Sequence, residues 1–204
     1  MALLTERDRT YKTPEDIVAH VGDEYEKYEG AIVPPLFQNS LFVHPTEANG
    51  MTSSEFDYSR MSNPTLDIAE RKIAALEGGD GALCFSTGMA AIGAAIIHFV
   101  KSDSHIVMVN TVYGGATGVA NYVKRKFGVE TAFVDGRDLD EIRNAIRPNP
   151  TLIYVESPSS LVFRMQDIAE IAKMAKERGI TTMMDNTYST PILQQPDVIA
   201  HEGH

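Results

Sequence analysis

An α/β fold with a mainly parallel sheet is predicted by three observations on this 204-residue chain. Short, nearly continuous apolar runs recur from about residue 82 onward. Each is followed by a stretch with helical periodicity, so strands and helices alternate. The runs themselves have the composition that burial on both faces of a parallel sheet requires. The last of them, residues 180–184, leads into an acid, Asp185, and then Asn186, Thr187 and Tyr188. In an open α/β sheet the carboxyl ends of parallel strands form the ligand crevice, so Asp185 stands where a charge can act on a bound molecule.

Taken in order, residues 1 to about 50 are polar and weakly periodic, and Pro34, Pro35 and Pro45 interrupt regular structure. They read as an extended arm or clasp. The division expected is an N-terminal arm, residues 1–60, and an α/β domain, residues 61–204. Within the domain a helix is predicted at 66–76, a short strand at 82–85 and a small-residue helix after Gly88. Strand 105–109 precedes a helix from about 117 to 126, strand 131–134 precedes helix 139–146, and strand 152–155 precedes helix 168–178. Strand 180–184 closes the series. Asp138 and Asp167 stand near helix starts, where a carboxylate can accept from a free amide, and Gly128 and Gly179 follow helix ends. No internal repeat or low-complexity segment interrupts this order.

Composition narrows the function classes. Apolar residues make up 43% of the chain, enough for a real core, and the formal net charge of −10 argues against a nucleic-acid surface. The single cysteine, Cys84, excludes an intramolecular disulfide. The N-terminus has no cationic stretch leading into an apolar run, and the apolar stretch from Met89 to Val100 is too short to cross a bilayer. A cytoplasmic protein acting on small molecules is expected, with no nucleic-acid or membrane partner.

Four constellations carry possible chemistry. Ser86-Thr87-Gly88-Met89-Ala90-Ala91 follows strand 82–85 and opens a helix, so free backbone amides and the positive end of the helix dipole meet where Gly88 permits close approach. A phosphate suits that place, with Ser86 as a further donor; a tight turn packing the helix onto the sheet suits it as well. Tyr58-Ser59-Arg60, before Asn63-Pro64-Thr65, offers a hydroxyl and a planar cation to phosphate or carboxylate, and also fits a solvated loop with a helix cap. Tyr113-Gly114-Gly115, in the loop after strand 105–109, presents an aromatic face for a planar ring or forms a surface turn. Glu156-Ser157-Pro158-Ser159-Ser160, after strand 152–155, is by itself an ordinary turn rich in hydroxyls.

These loops and Asp185 fall at carboxyl ends of strands or just before the sheet begins, which favours one common crevice for a phosphate and an aromatic heterocycle. A carboxylate against a pyridine nitrogen keeps that nitrogen protonated and the ring electron-withdrawing, and pyridoxal 5'-phosphate meets all of these demands. Taken alone, Asp185 also fits a helix cap after the last strand. A nucleotide-binding domain ranks last, since neither G-x-G-x-x-G nor G-x-x-x-x-G-K-[ST] occurs.

With these motifs assembled, the sequence resembles the Cys/Met-metabolism family of pyridoxal-phosphate enzymes, which includes cystathionine synthases and lyases and methionine γ-lyase. The resemblance runs through Gly30-Ala31-Ile32-Val33-Pro34-Pro35, Tyr58-Ser59-Arg60, Asn63-Pro64-Thr65, Leu76-Glu77-Gly78-Gly79, Ser86-Thr87-Gly88-Met89-Ala90-Ala91, Tyr113-Gly114-Gly115, Glu156-Ser157-Pro158 and Asp185-Asn186-Thr187-Tyr188. It implies an aspartate-aminotransferase-like (fold type I) large domain, preceded by an extended arm and cut before the family's C-terminal domain. It assigns Gly88 and Met89 to the cofactor phosphate, Tyr113 to stacking on the ring and assisting the leaving group, Asp185 to the pyridine nitrogen and Thr187 to support of the site. Counterparts of Tyr58 and Arg60 reach the phosphate of a neighbouring subunit's cofactor, which implies a homo-oligomer with shared sites.

The activity implied is β- or γ-elimination or replacement at carbon–sulfur bonds of amino acids such as cystathionine, methionine and cysteine. Three departures qualify it. No lysine follows Lys176, whereas the family's Schiff-base lysine lies beyond the aspartate, so the chain by itself is expected to be inactive. This leaves a non-catalytic fragment that only binds or dimerises as the alternative. Ser160 replaces an Asn common in relatives, and Gly115 occupies the place where methionine γ-lyases resemble one another in carrying a reactive Cys. The terminal His201-Glu202-Gly203-His204 offers two histidines without a third ligand and reads as a frayed end rather than a metal site.

Overall fold

A computed structural model describes residues 2–46, 50 and 55–198 of the chain. His201-Glu202-Gly203-His204 lies outside the described residues. The chain divides into two compact units, Met1–Cys84 and Phe85–His204. The division comes after Cys84 rather than near residue 60, because the first long helix packs on the arm's own elements.

In the first unit, strand β1 (Ala2–Leu3) pairs with β2 (Gly81–Ala82) in antiparallel register. The strand expected at 82–85 is therefore shorter and joins the arm, while Leu83 to Phe85 continue as irregular chain. The arm also holds a helix that its weak periodicity did not reveal, α1 (Pro14–His20). Thr13 caps it by accepting from Asp16 N–H, and a proline occupies the first turn, where its missing N–H costs nothing. Helix α2 (Pro64–Glu77) starts the same way: Asn63 accepts from Leu66 N–H at 2.9 Å, Pro64 follows, and Gly78 closes the helix at φ +73°. Two charged residues of α2 organise this unit from within. Glu70 accepts from the backbone N–H of Ala2 at 3.1 Å and of Cys84 at 2.9 Å, and the buried Arg71 lies 3.1 Å from the buried Asp8.

The second unit contains a four-stranded, wholly parallel sheet of β3 (His105–Val109), β4 (Glu130–Val134), β5 (Pro150–Glu156) and β6 (Thr181–Asp185), in the order β4-β3-β5-β6. Its helices are α3 (Gly88–Phe99), α4 (Gly114–Phe127), α5 (Leu139–Ala145), α6 (Ile168–Glu177) and α7 (Thr190–Leu193). The expected alternation is thus present, and the expected caps form: Asp138 accepts from Asp140 N–H, Asp167 accepts from Glu170 N–H, and Gly128 and Gly179 take positive φ after their helices. Helix α4 begins three residues earlier than its periodicity predicts, so Gly114 and Gly115 form its first turn instead of a loop.

Strand β3 and residues 152–156 of β5 are buried, and their side chains build the core with Ile92, Ile96, Ala116, Ala120, Val123, Ile142 and Ile171 from the covering helices. The outer strands depart from the expectation of burial on both faces: much of β4 and β6 is only partly buried, since each has a neighbour on one side only among the described residues. From β3 the chain crosses to one side to make β4 and then returns past β3 to make β5. The order therefore reverses between β3 and β5, and that reversal opens a crevice at their carboxyl ends.

Candidate functional site

A cavity of about 410 Å³ opens at the carboxyl end of this sheet, within the size range of small-molecule sites. One wall is the start of α3. Thr87 caps this helix, its side chain accepting from Ala90 N–H at 3.1 Å. The amides of Gly88 and Met89 precede the first residue that finds a helical acceptor, and among the described residues neither meets one. Both residues line the cavity, and a Cβ built on Gly88 meets nothing within 4 Å, so the approach to these amides is open. Ser86, directly before the cap residue Thr87, is exposed.

Opposite chemistry comes from β6. Asp185 is its last residue, and the carboxylate is held from one side: Thr187 donates to Oδ1 with its backbone N–H at 3.0 Å and again with its hydroxyl. Among the described residues the second oxygen, Oδ2, meets no donor. The following turn is fastened by Gln194, whose side-chain amide donates to Ser157 O at 2.8 Å and to Asn186 Oδ1 at 3.0 Å. Tyr188 completes that wall, its ring edge-on to Phe163 with centroids 5.1 Å apart.

Tyr113 is the residue immediately before α4, half exposed and lining the cavity. Its ring lies over Gly115, where an added Cβ would collide with Tyr113 Cε1 and with Met89 Sδ. Gly115 is thus more than a turn residue, because its lack of a side chain lets the Tyr113 ring and the Met89 thioether share one space. The backbone N–H of Tyr113 donates to Glu156 Oε2 at 2.5 Å. In the sequence Glu156 reads only as part of a hydroxyl-rich turn, yet it is buried, ends β5 and is the register partner of Asp185. Burial pushes its carboxyl pKa up and the neighbouring Asp185 adds to this, against the opposing pull of the Tyr113 and Ser160 N–H groups. Tyr154, two residues earlier and fully buried, is raised by burial and by the same two carboxylates. A parity argument could have found Glu156: a charged residue closing a strand that is otherwise apolar.

Tyr58 and Arg60 belong to the first unit. Tyr58 forms an isolated bridge with Leu41, and the Arg60 guanidinium lies over the Tyr58 ring, 4.9 Å from its centroid, and donates to its hydroxyl. Among the described residues no lysine lines the cavity, and Lys72 and Lys173 are engaged elsewhere. Lys72 donates to Val18 O, and Lys173 pairs with Glu170 at 3.7 Å. Among the described residues no group of three acidic, His or Cys side chains could hold a metal, and no helix is long and apolar enough to cross a membrane.

The donor set fits pyridoxal phosphate: two open amides at a helix start for an anion, an aromatic ring and an oriented carboxylate with one oxygen available. Comparison with known proteins agrees. The family model of the Cys/Met metabolism PLP-dependent enzymes matches residues 15–201. The L-methionine gamma-lyase of Pseudomonas putida is 36% identical over 90% of this chain and 49% of its own length. The cystathionine beta-lyase MetC of Bacillus subtilis is 38% identical over 85% of this chain and 45% of its own. A Campylobacter jejuni crystal structure assigned as an O-acetylhomoserine (thiol)-lyase superimposes with a TM-score of 0.84 at 29% identity, over 93% of this chain and 48% of its own, and contains N'-pyridoxyl-lysine-5'-monophosphate. The chain spans about half the length of the curated relatives it matches. Its cavity chemistry, its parallel α/β sheet and the match over residues 15–201 place the chain in the Cys/Met metabolism PLP-dependent enzyme family.

Proposed function

We propose that this chain supplies cofactor-binding machinery for an enzyme that cleaves or replaces carbon–sulfur bonds in sulfur amino acids by β- or γ-elimination or replacement. The observation that carries the reading is the oriented carboxylate of Asp185 in the same cavity as the open amides of Gly88 and Met89. The relatives named for methionine and cystathionine support the substrate class. When bound, pyridoxal phosphate supplies an electron-withdrawing pyridinium ring that takes up the electron pair left at the substrate Cα.

The chain's own residues then have separate tasks. Gly88 and Met89 bind the phosphate through their N–H groups, with Ser86 near the same helix start as a further donor. Asp185 holds a proton at the pyridine nitrogen, and Thr187 fixes the carboxylate that does so. Tyr113 covers the ring face, and its hydroxyl gives a proton to the sulfur of the departing thiolate. Tyr58 and Arg60 serve the phosphate of a second copy of the chain, so the protein works as a homo-oligomer. The exposed apolar residues of the arm, Ile32, Val33 and Leu36, support such an assembly. A cytoplasmic setting for small amino-acid substrates completes the proposal, in keeping with the acidic composition and single cysteine.

Titration of the chain with pyridoxal 5'-phosphate, followed by absorbance and by quenching of tyrosine fluorescence, tests the reading. Saturable binding is expected, and Asp185→Ala should weaken it about tenfold or more, as loss of a charge-assisted hydrogen bond does. Equal affinity in the two proteins would overturn the assignment of Asp185.

A further inference from the structure

The loops that bear Tyr113 and Ser160 leave the sheet where strand order reverses, and the pairing of β3 with β5 runs only as far as Met108 and Tyr154, short of both loops. Glu156 bridges them. It ends β5, its side chain is buried, its carboxylate accepts from the backbone N–H of Tyr113 at 2.5 Å, and the nearby Ser160 N–H also favours its charged form. The residue before a helix carries an amide that the helix itself leaves without an acceptor, and no side-chain cap is made by Tyr113. Glu156 satisfies that amide across the switch point, from 43 residues away in sequence. On the other side of Tyr113, the missing side chain of Gly115 gives the ring its seat against Met89.

We infer that Glu156 is the positioning residue for Tyr113: its carboxylate locks the Tyr113 backbone to the end of β5 and so sets where the tyrosine ring stands in the cavity. Glu156 acts through Tyr113 and needs no contact with cofactor or substrate. The groups facing it are Asp185, its register partner on β6, and Tyr154 on its own strand. A buried anion at this place is retained because two amides converge on it, and replacing it with a neutral group loosens both loops together.

The first test needs neither variant nor cofactor. In a pH titration of the isotopically labelled chain, the Tyr113 amide proton and the Glu156 side-chain carboxyl carbon should move with one shared midpoint, above the ordinary glutamate value of about 4.3. In Glu156→Gln the Tyr113 amide should lose that transition. A Tyr113 amide that does not titrate with Glu156 overturns the inference, and this reading stands even if the variant fails to fold.

The second test rests on the cofactor reading given above and uses pyridoxine 5'-phosphate, which lacks the aldehyde and binds without covalent linkage. Glu156→Gln should weaken it about tenfold in the unaltered background and hardly at all in a Tyr113→Ala background, the non-additivity expected of residues acting as a unit. Additive losses overturn the inference. If the unaltered chain does not bind pyridoxine 5'-phosphate, the cofactor reading fails, and the amide titration alone decides the role of Glu156.

Discussion

Thr187 grips a single oxygen of Asp185, donating to Oδ1 with both its backbone N–H, at 3.0 Å, and its hydroxyl. Two donors on one oxygen orient the carboxylate and leave Oδ2 without a donor among the described residues. Thr187→Val removes the hydroxyl but keeps the branched shape and the amide donor. It should weaken pyridoxine 5'-phosphate binding by about threefold to tenfold, the worth of one hydrogen bond to a charged group, with little change in melting temperature. Calorimetric titration of both proteins checks this, and an unchanged affinity would show that the hydroxyl does not orient Asp185.

Gly115→Ala separates packing at the site from stability of the fold. Within the first turn of α4, alanine favours the helix by about 0.5–1 kcal/mol over glycine. Its Cβ, however, enters the space of the Tyr113 ring and the Met89 thioether, so the ring must move. The variant should melt within a few degrees of the unaltered chain while binding pyridoxine 5'-phosphate more weakly. Tighter binding would mean that the ring does not stand where the ligand needs it.

In the first unit, Asp8 is buried and accepts from Thr5 N–H at 3.0 Å, Thr5 Oγ1 at 2.8 Å, Gly22 N–H at 3.1 Å and Arg71 Nη1 at 3.1 Å. Burial opposes its charge, but the Thr5 and Gly22 donors and Arg71 outweigh this and hold its pKa below the ordinary 3.8. For an acid with a lowered folded pKa, the stabilisation is complete above the unfolded value and is lost as pH falls through the folded one. Asp8→Ala should cost about 3 kcal/mol at neutral pH, as breaking a buried ion pair does. Denaturant melts should show this difference narrowing below about pH 4, where the unaltered chain loses the same contribution.

His105 gives the opposite half of the pH profile. Its side chain is fully buried at the start of β3, and burial, aided by the positive charge of Arg147, lowers its pKa from 6.5. Below that value the unfolded chain takes up a proton that the folded chain refuses, so stability is complete above about pH 6.5 and declines as pH falls toward the folded pKa. His105→Gln should flatten the change in unfolding free energy between pH 7 and pH 5.5. Glu156 is present in both proteins, so its own contribution cancels in the comparison. An identical slope in the two proteins would rule out His105 as its source.

Local rules made the alternating strands and helices legible in the sequence. Apolar runs of strand length, helical periodicity and the caps at Asp138, Asp167 and Gly128 depend on neighbours a few residues away, and so does the arrival of Asp185 at the end of a strand. What needed the folded chain was every feature made by residues distant in sequence. Pairing of Ala2–Leu3 with Gly81–Ala82 moved a predicted strand into the arm. The exposed faces of β4 and β6 followed from which strands became edges. The burial of Glu156 beneath Tyr113 and the seating of the Tyr113 ring on Gly115 arose only when β3, β5 and β6 became neighbours. Sequence periodicity reports which side of a strand is apolar, whereas strand order decides which loops meet, and the chemistry of this cavity lies where they meet.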